Sequence, residues 1–239
     1  ELNANIRRID FDQGPSLERI KWEALPIDSG YTMAISSEVP GQSFEALFDY
    51  EKVKDRYSIE GKVDVNRLNA LMSTPDFEAL PFSTAASFSL WGSSLSDIQG
   101  QLNLDALRFY PLNRAIVEVG SVRMSHTALG RTERQFIVVS EDFVNLQASG
   151  NYHLFDWQQA VSQLKFPRTL QLDADIQTGD RWVELIEGST VLPEVSGYLR
   201  YTDGKLKSDI KLSQFSYDVF DMKQLRAFSD ASGGFVLEA

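Results

Sequence analysis

The chain has 239 residues, 43% of them hydrophobic, with a formal net charge of −11 and no cysteine. This hydrophobic content is typical of a folded chain. The negative charge argues against binding nucleic acid by neutralising its phosphates, and against docking flat on an anionic membrane. Without cysteine there are no structural disulfides and no thiolate chemistry. No apolar run of about 18 residues is present, so no helical membrane span is predicted.

Taken in chain order, the sequence is a succession of segments in which apolar and polar residues alternate, which is the pattern of a strand with one dry face. The predicted strands cover residues 17–22, 33–38, 57–65, 85–91, 98–109, 116–124, 136–141, 146–154, 169–178, 195–201 and 204–215, with 181–187 as a further candidate. Residues 44–50 and 219–228 fit a strand and a helix equally well. Asp203-Gly204 predicts a tight hairpin turn. Short connections of this kind favour about twelve to fifteen mostly antiparallel strands.

Two short amphipathic helices are predicted where the alternation gives way to helical spacing. The first follows the N-cap candidate Asn66 and has its apolar positions at Leu68, Leu71 and Met72. The second follows Asp156 and has its apolar positions at Trp157, Ala160, Val161 and Leu164. Pro75 and Pro167 come after the two segments, as expected where a helix has ended.

The order of these elements predicts an internal repeat of about 100 residues. The pattern Ile98-x-Gly100-x-Leu102-x-Leu104 returns 97 positions later around Gly197. The pairs Ile9-x-Phe11, Leu107-x-Phe109 and Phe215-x-Tyr217 follow in the same order. We therefore expect one continuous repeat segment over residues 1–239, with approximate units 1–97, 98–194 and 195–239, taken from a longer protein.

No catalytic motif is found, so the chain is interpreted as a non-enzyme that needs no cofactor or metal. Both histidines, His126 and His153, are predicted to lie on the surface. Asp173 and Asp175 share one strand face and could hold a divalent cation, although solvated strand charges explain them better. The pair Glu141-Asp142 is most simply a turn.

The remaining signal is the recurrent apolar face. An open groove lined by it would expose more apolar surface than soluble proteins usually carry, so the groove would need an apolar occupant. One alternative is a closed β-sandwich or solenoid, acting as a scaffold or adhesin, whose core is filled by its own side chains. A second is a carbohydrate-active repeat enzyme that uses two of the many carboxylates. The predicted groove-lining residues are Val63, Val65, Leu102, Leu104, Leu146, Ala148, Tyr152, Leu154, Leu170, Leu172, Ile176, Leu199, Tyr201, Leu206, Ile210 and Leu212.

The succession QLNLDALRFY, FIVVSEDF and SGNYHLFDWQQAV resembles the TamB proteins of Gram-negative envelopes, within the wider AsmA-like group. The resemblance implies an all-β fold: a long, strongly curved, mostly antiparallel β-groove, or taco, that is dry inside. It also implies a periplasmic location in a full-length protein anchored in the inner membrane. The function implied is phospholipid or other acyl-chain lipid transport between the two membranes, outer-membrane protein assembly, or both. An outer-membrane β-barrel partner would be contacted through parts outside this segment.

Overall fold

The computed structural model describes residues 2–9, 17–39, 41–69, 81–94, 97–110, 115–130, 132–151, 171–179, 181, 194–202, 205–217, 220–229 and 235–238. These residues form fifteen β-strands, and no α-helix occurs within the described ranges. The strands are β1 Leu2–Ile9, β2 Leu17–Ile27, β3 Gly30–Val39, β4 Gln42–Val53, β5 Arg56–Asn69, β6 Pro81–Gly92, β7 Gln99–Phe109, β8 Val117–Ala128, β9 Glu133–Ser140, β10 Val144–Asn151, β11 Gln171–Thr178, β12 Glu194–Thr202, β13 Lys205–Tyr217, β14 Phe220–Ser229 and β15 Phe235–Glu238.

All fifteen strands belong to one sheet, in which the spatial order is the chain order from β1 to β15. The sheet is open, with β1 and β15 at its two ends, and its described pairings are antiparallel. Where the connection is short, as between β2 and β3 or between β4 and β5, this arrangement follows because a hairpin joins sequential strands side by side. The prediction of an all-β, mostly antiparallel fold with about twelve to fifteen strands is therefore confirmed.

Contacts divide the chain into two compact units. Unit 1 comprises Glu1–Ser94 and Gly100–Val122, and unit 2 comprises Leu95–Gln99 and Arg123–Ala239. Buried side chains in unit 1 include Ile20, Ala24 and Ala46, and in unit 2 they include Phe143 and Ala148. These unit boundaries do not test the three predicted repeats, which remain a prediction.

The predicted strand polarity is confirmed on β10. Ala148 is buried and Leu146 is half-buried. Gln147, which lies between them, and Asn145, which precedes Leu146, are exposed. Ser149, expected to be exposed, is half-buried. The two ambiguous segments are also resolved, because residues 44–50 lie within β4 and the described residues 220–228 lie within β14.

The first predicted helix is wrong at its start, because Asn66 and Leu68 belong to strand β5. A β-bulge shifts the register between Val65 and Leu68. Arg67, inside this bulge, has a left-handed φ of 51°. Asn66 and Arg67 are both exposed, and Leu68 is buried again. A bulge thus places apolar residues three positions apart within a strand, a spacing that resembles one turn of a helix. Residues 70–80 and the second predicted helix, 156–164, lie outside the described residues.

The same spacing recurs in other strands of unit 1. Leu104 and Leu107 flank Ala106, whose φ is 50°, and Val119 and Val122 flank Gly120, whose φ is 77°. Arg19 of β2 has a φ of 52° and precedes the buried Ile20. A left-handed residue other than glycine costs about 1–2 kcal/mol, so the surrounding strands must maintain these conformations.

Hydroxyl groups on neighbouring strands satisfy the backbone at three of these positions. Ser37 Oγ donates to Glu18 O at 2.5 Å, beside Arg19. The Arg67 backbone N donates to Ser83 Oγ at 2.8 Å. Thr84 Oγ1 donates to Asp105 O at 3.0 Å, beside Ala106. Because buried backbone groups are costly when unpaired, these serine and threonine side chains help to hold the irregular strands in place.

Candidate functional site

The candidate site is the apolar face of the sheet, which is described for each unit separately. In unit 1, Ile35, Ala46, Val63 and Ala86 are register partners in succession across four neighbouring strands. Cross-strand partners point to the same side of a sheet, so these side chains form one apolar row. Ala46 is buried and the other three are half-buried. Val65, two residues beyond Val63, lies on the same face.

The apolar face of unit 1 also carries aromatic rings. The rings of Phe48 and Phe88 lie 6.4 Å apart, and those of Phe82 and Phe109 lie 6.5 Å apart, both in tilted geometry. Tilted pairs at this distance stabilise one another beyond the area they bury. Leu102 and Leu104, the predicted lining residues of β7, are both half-buried.

In unit 2 the apolar face is carried by a second row. Val138, Leu146, Ile176, Gly197 and Ile210 are register partners across β9 to β13. Parallel rows on the same face contain further predicted lining residues of these strands, namely Ala148 with Leu199, then Tyr201, and lastly Leu212. Leu172 and Leu206 are the backbone register partners of Tyr201 on the two neighbouring strands.

The structure thus places the described lining residues on one face within each unit, as the alternation predicted. Tyr152, Leu154 and Leu170 lie outside the described residues. Most of the described lining side chains are half-buried; Ala148 and Tyr201 are buried. Close packing runs between neighbouring strands of the sheet, as between β4 and β5 in unit 1 and between β13 and β14 in unit 2.

The opposite face of unit 2 is polar and held by ion pairs. Arg200 Nε donates to Asp173 Oδ1 at 3.0 Å. Arg226 binds Asp209 through two hydrogen bonds of 2.8 and 2.6 Å. The hydrogen bond from Arg226 lowers the pKa of Asp209 below its ordinary value. Asp175, predicted to share a strand face with Asp173, is likewise exposed. Within the described ranges, no group of three or more His, Asp or Glu side chains could hold a metal ion.

Unit 1 also contains a cleft of about 1060 Å³, which is lined by polar and apolar residues from both faces of the sheet. Its lining includes the cations Arg19, Lys21 and Arg108 and the carboxylates Glu45 and Asp64, which are cross-strand partners. The described lining also includes the aromatic side chain of Phe44. Of the predicted groove residues described, Val65 borders this cleft.

The environment of His126 differs from the one that the sequence predicted. The prediction of a surface histidine is wrong, because His126 lies in β8 and is 7% exposed. Its Nδ1 lies 2.5 Å from Ile98 O and must carry the hydrogen, since a carbonyl only accepts. Burial lowers the pKa of His126, and the nearby Arg134 lowers it further, against the opposing effects of Ile98 and Asp97. The reason is a long-range contact within unit 2, in which residues 97–99 bind residues of β8 and β9. His153 lies outside the described residues.

The repeat remains a prediction when the strands are compared. Gly100 and Gly197 share a φ of 145°, and a Cβ atom added at either position would lie 2.0 Å from a backbone oxygen of the neighbouring strand. However, Gly100 and Leu107 lie on the single strand β7, whereas Gly197 and Phe215 lie on the two strands β12 and β13. The two matches therefore do not keep one common register.

No helix among the described residues has the length and apolarity needed to cross a membrane. Comparison of the chain with protein-family models, curated proteins and solved structures finds no match in any of the three.

Proposed function

We propose that the chain is a lipid-conducting segment of a TamB-like or AsmA-like envelope protein. In this proposal the open sheet curves into a groove whose interior is the apolar face, built from repeats and closed in part by the amphipathic helix predicted after Asp156. Acyl chains lie on the apolar face while their headgroups remain at the open edge. The observation that carries the proposal is the apolar row on one face of the sheet within each unit, which continues from strand to strand and is half-buried at most of its described positions.

The energetics favour an apolar occupant of this face. Removing apolar surface from water contributes about 25 cal/mol per Å². A half-buried row such as Leu146, Ile176 and Ile210 retains apolar surface that an acyl chain would cover. Since similar rows continue from strand to strand within each unit, a chain could move along the sheet without returning to water. The opposite face of unit 2 differs from this row, since it carries the ion pairs of Arg200 with Asp173 and of Arg226 with Asp209.

The full-length context is part of the same proposal. Such a segment would lie in the periplasm, within a protein anchored in the inner membrane. It would serve phospholipid passage, outer-membrane protein assembly, or both. Contacts with an outer-membrane β-barrel would come from parts of the protein outside this segment.

The test compares two substitutions at adjacent positions of β10. Leu146→Arg places a guanidinium on the apolar face, where it is costly to desolvate and repels an acyl chain. Gln147→Arg places the same group on the exposed opposite face. A photo-crosslinking residue at Leu199, on the apolar face of the same unit, reports lipid contact. Circular dichroism and a thermal melt first establish that both variants fold.

The proposal predicts strong crosslinking to phospholipid in the unmodified chain and in Gln147→Arg, and a large loss in folded Leu146→Arg. Native mass spectrometry of the purified segment should also detect bound phospholipid. Equal crosslinking in the two variants, or none in the unmodified chain, would contradict the proposal. The self-filled scaffold or adhesin would then be the better interpretation.

A further inference from the structure

A charged side chain lies at the end of the apolar face of unit 2. Arg134 of β9 is the register partner of Gly150 in β10, and Gly150 is in turn the partner of Leu172 in β11. The arginine therefore shares a face with the predicted lipid-lining residues. It is nevertheless 7% exposed. A buried charge is costly unless it is paired and hydrogen-bonded.

The partners of Arg134 leave one of its donors unused. Its Nη1 donates to Glu133 O at 3.1 Å and to Gly130 O at 3.4 Å. Its Nη2 donates to Asp97 Oδ1 at 2.7 Å. Its Nε is buried and has no acceptor among the described residues. Buried donors nearly always have a partner, so this nitrogen indicates a place for an additional acceptor atom.

Asp97 belongs to a short segment that lies against β8 and β9. Three consecutive residues bind there: Asp97 pairs with Arg134, Ile98 O accepts from His126 Nδ1, and Gln99 Oε1 accepts from the Ala128 backbone N at 3.0 Å. The Asp97 side chain is 34% exposed, against 9% for that of Arg134. Solvent therefore reaches the ion pair from the side of Asp97, while the other two contacts can hold the segment without it.

We propose that Arg134 is an oxyanion site for the phosphate of an amphipathic lipid, and that Asp97 fills this site when no lipid is bound. An arginine fork binds two oxygens of a phosphate in parallel, through Nε and one Nη. The phosphate would replace Asp97 on Nη2 and supply the missing acceptor for Nε. This inference deepens the proposed function, on which it rests, by assigning a headgroup site at one end of the apolar face.

The experiment uses Asp97→Asn, which weakens the competitor without changing its size. The matched control is Asp173→Asn, which weakens the exposed ion pair with Arg200 on the opposite face of the same unit. Native mass spectrometry measures occupancy by phosphatidylglycerol and by diacylglycerol with the same acyl chains. Asp97→Asn should raise phosphatidylglycerol occupancy by about tenfold, the order expected from a gained charge-assisted hydrogen bond. Diacylglycerol occupancy should stay unchanged, and Asp173→Asn should change neither.

A second variant tests the guanidinium itself. Arg134→Lys keeps the charge but removes the fork, so it should reduce phosphatidylglycerol binding and leave diacylglycerol binding intact. Equal changes for the two lipids, or equal effects of Asp97→Asn and Asp173→Asn, would overturn the headgroup site while leaving the apolar groove standing.

Titration with inorganic phosphate tests the oxyanion site at Arg134 independently of lipid binding to the groove. In Asp97→Asn, titration with phosphate should shift the Arg134 Nε–H resonance in a nitrogen–proton spectrum. If neither lipid binds but phosphate shifts this resonance, the groove fails, and Arg134 is a site for free phosphate and not for lipid. If phosphate also leaves the resonance unmoved, the oxyanion site is refuted as well.

Discussion

Gly197 gives the sharpest prediction from the geometry of the sheet. A Cβ atom added at this position would lie 2.0 Å from Asp209 O and 2.9 Å from the Ile210 Cα on the neighbouring strand. Both atoms belong to the backbone, so no side-chain rotation relieves the overlap. The φ of 145° is also one that residues with a Cβ rarely adopt. Gly197→Ala must therefore push β12 and β13 apart.

The magnitude follows from two contributions. Overpacking a tight contact costs about 1–3 kcal/mol, and an unfavourable backbone conformation adds about 1–3 kcal/mol. We therefore expect Gly197→Ala to destabilise unit 2 by about 2–5 kcal/mol. Gly130 in the same unit is the control, since its added Cβ would meet only Glu133 Cβ at 4.0 Å. Gly130→Ala should change stability by no more than about 0.5 kcal/mol.

Hydrogen exchange read by mass spectrometry measures both effects locally, without assuming that the two units unfold together. Peptides covering β12 and β13 should lose protection in Gly197→Ala and keep it in Gly130→Ala. Gly100→Ala should produce a comparable loss in β6 and β7, because its added Cβ would lie 2.0 Å from Ser89 O. Unchanged protection around Gly197 would refute the close approach of these strands, and with it the register of unit 2.

Three further predictions concern the fold. Ala106→Gly should be neutral or stabilise unit 1 by up to about 1 kcal/mol in a urea titration, because glycine tolerates the left-handed φ. Ala85→Gly, the control in a regular strand, should destabilise unit 1 by about 0.5–1 kcal/mol in the same titration. Phe143→Ala should cost about 3–5 kcal/mol in urea unfolding, since Phe143 is 1% exposed; a loss below about 1 kcal/mol would contradict its burial. Because burial lowers the pKa of His126, the unfolded chain protonates first, and stability should fall as the pH drops below about 6.5. His126→Gln should flatten this decline between about pH 7 and 5; an identical pH dependence in the variant would contradict the assignment.

The alternation of residues determined most of the fold. Leu146, Gln147 and Ala148 show why: side chains of a strand alternate strictly between two faces, so one buried face is enough to set the register of the whole strand. The same reasoning identified the apolar face and the described residues on it. Short connections then required sequential strands to pair, which accounts for the antiparallel order of the sheet.

The tertiary structure decided where this alternation breaks. At Val65 and Leu68 a bulge produces the three-residue spacing of a helix, and pairing with β6 is what makes the segment a strand. No local pattern distinguishes the two outcomes, since the difference lies in hydrogen bonds to a neighbouring strand.

Long-range contacts determine the burial and the pairing of three ionisable side chains. The sequence contains Asp97, His126 and Arg134 at separations of 29 and 8 positions, with nothing to connect them. Their cluster exists because residues 97–99, which are part of unit 2, bring a carboxylate and a carbonyl oxygen to β8 and β9. The burial and pairing of residues so far apart in the sequence depend on which strands lie next to one another in the sheet. The alternation of residues within a single strand does not contain this information.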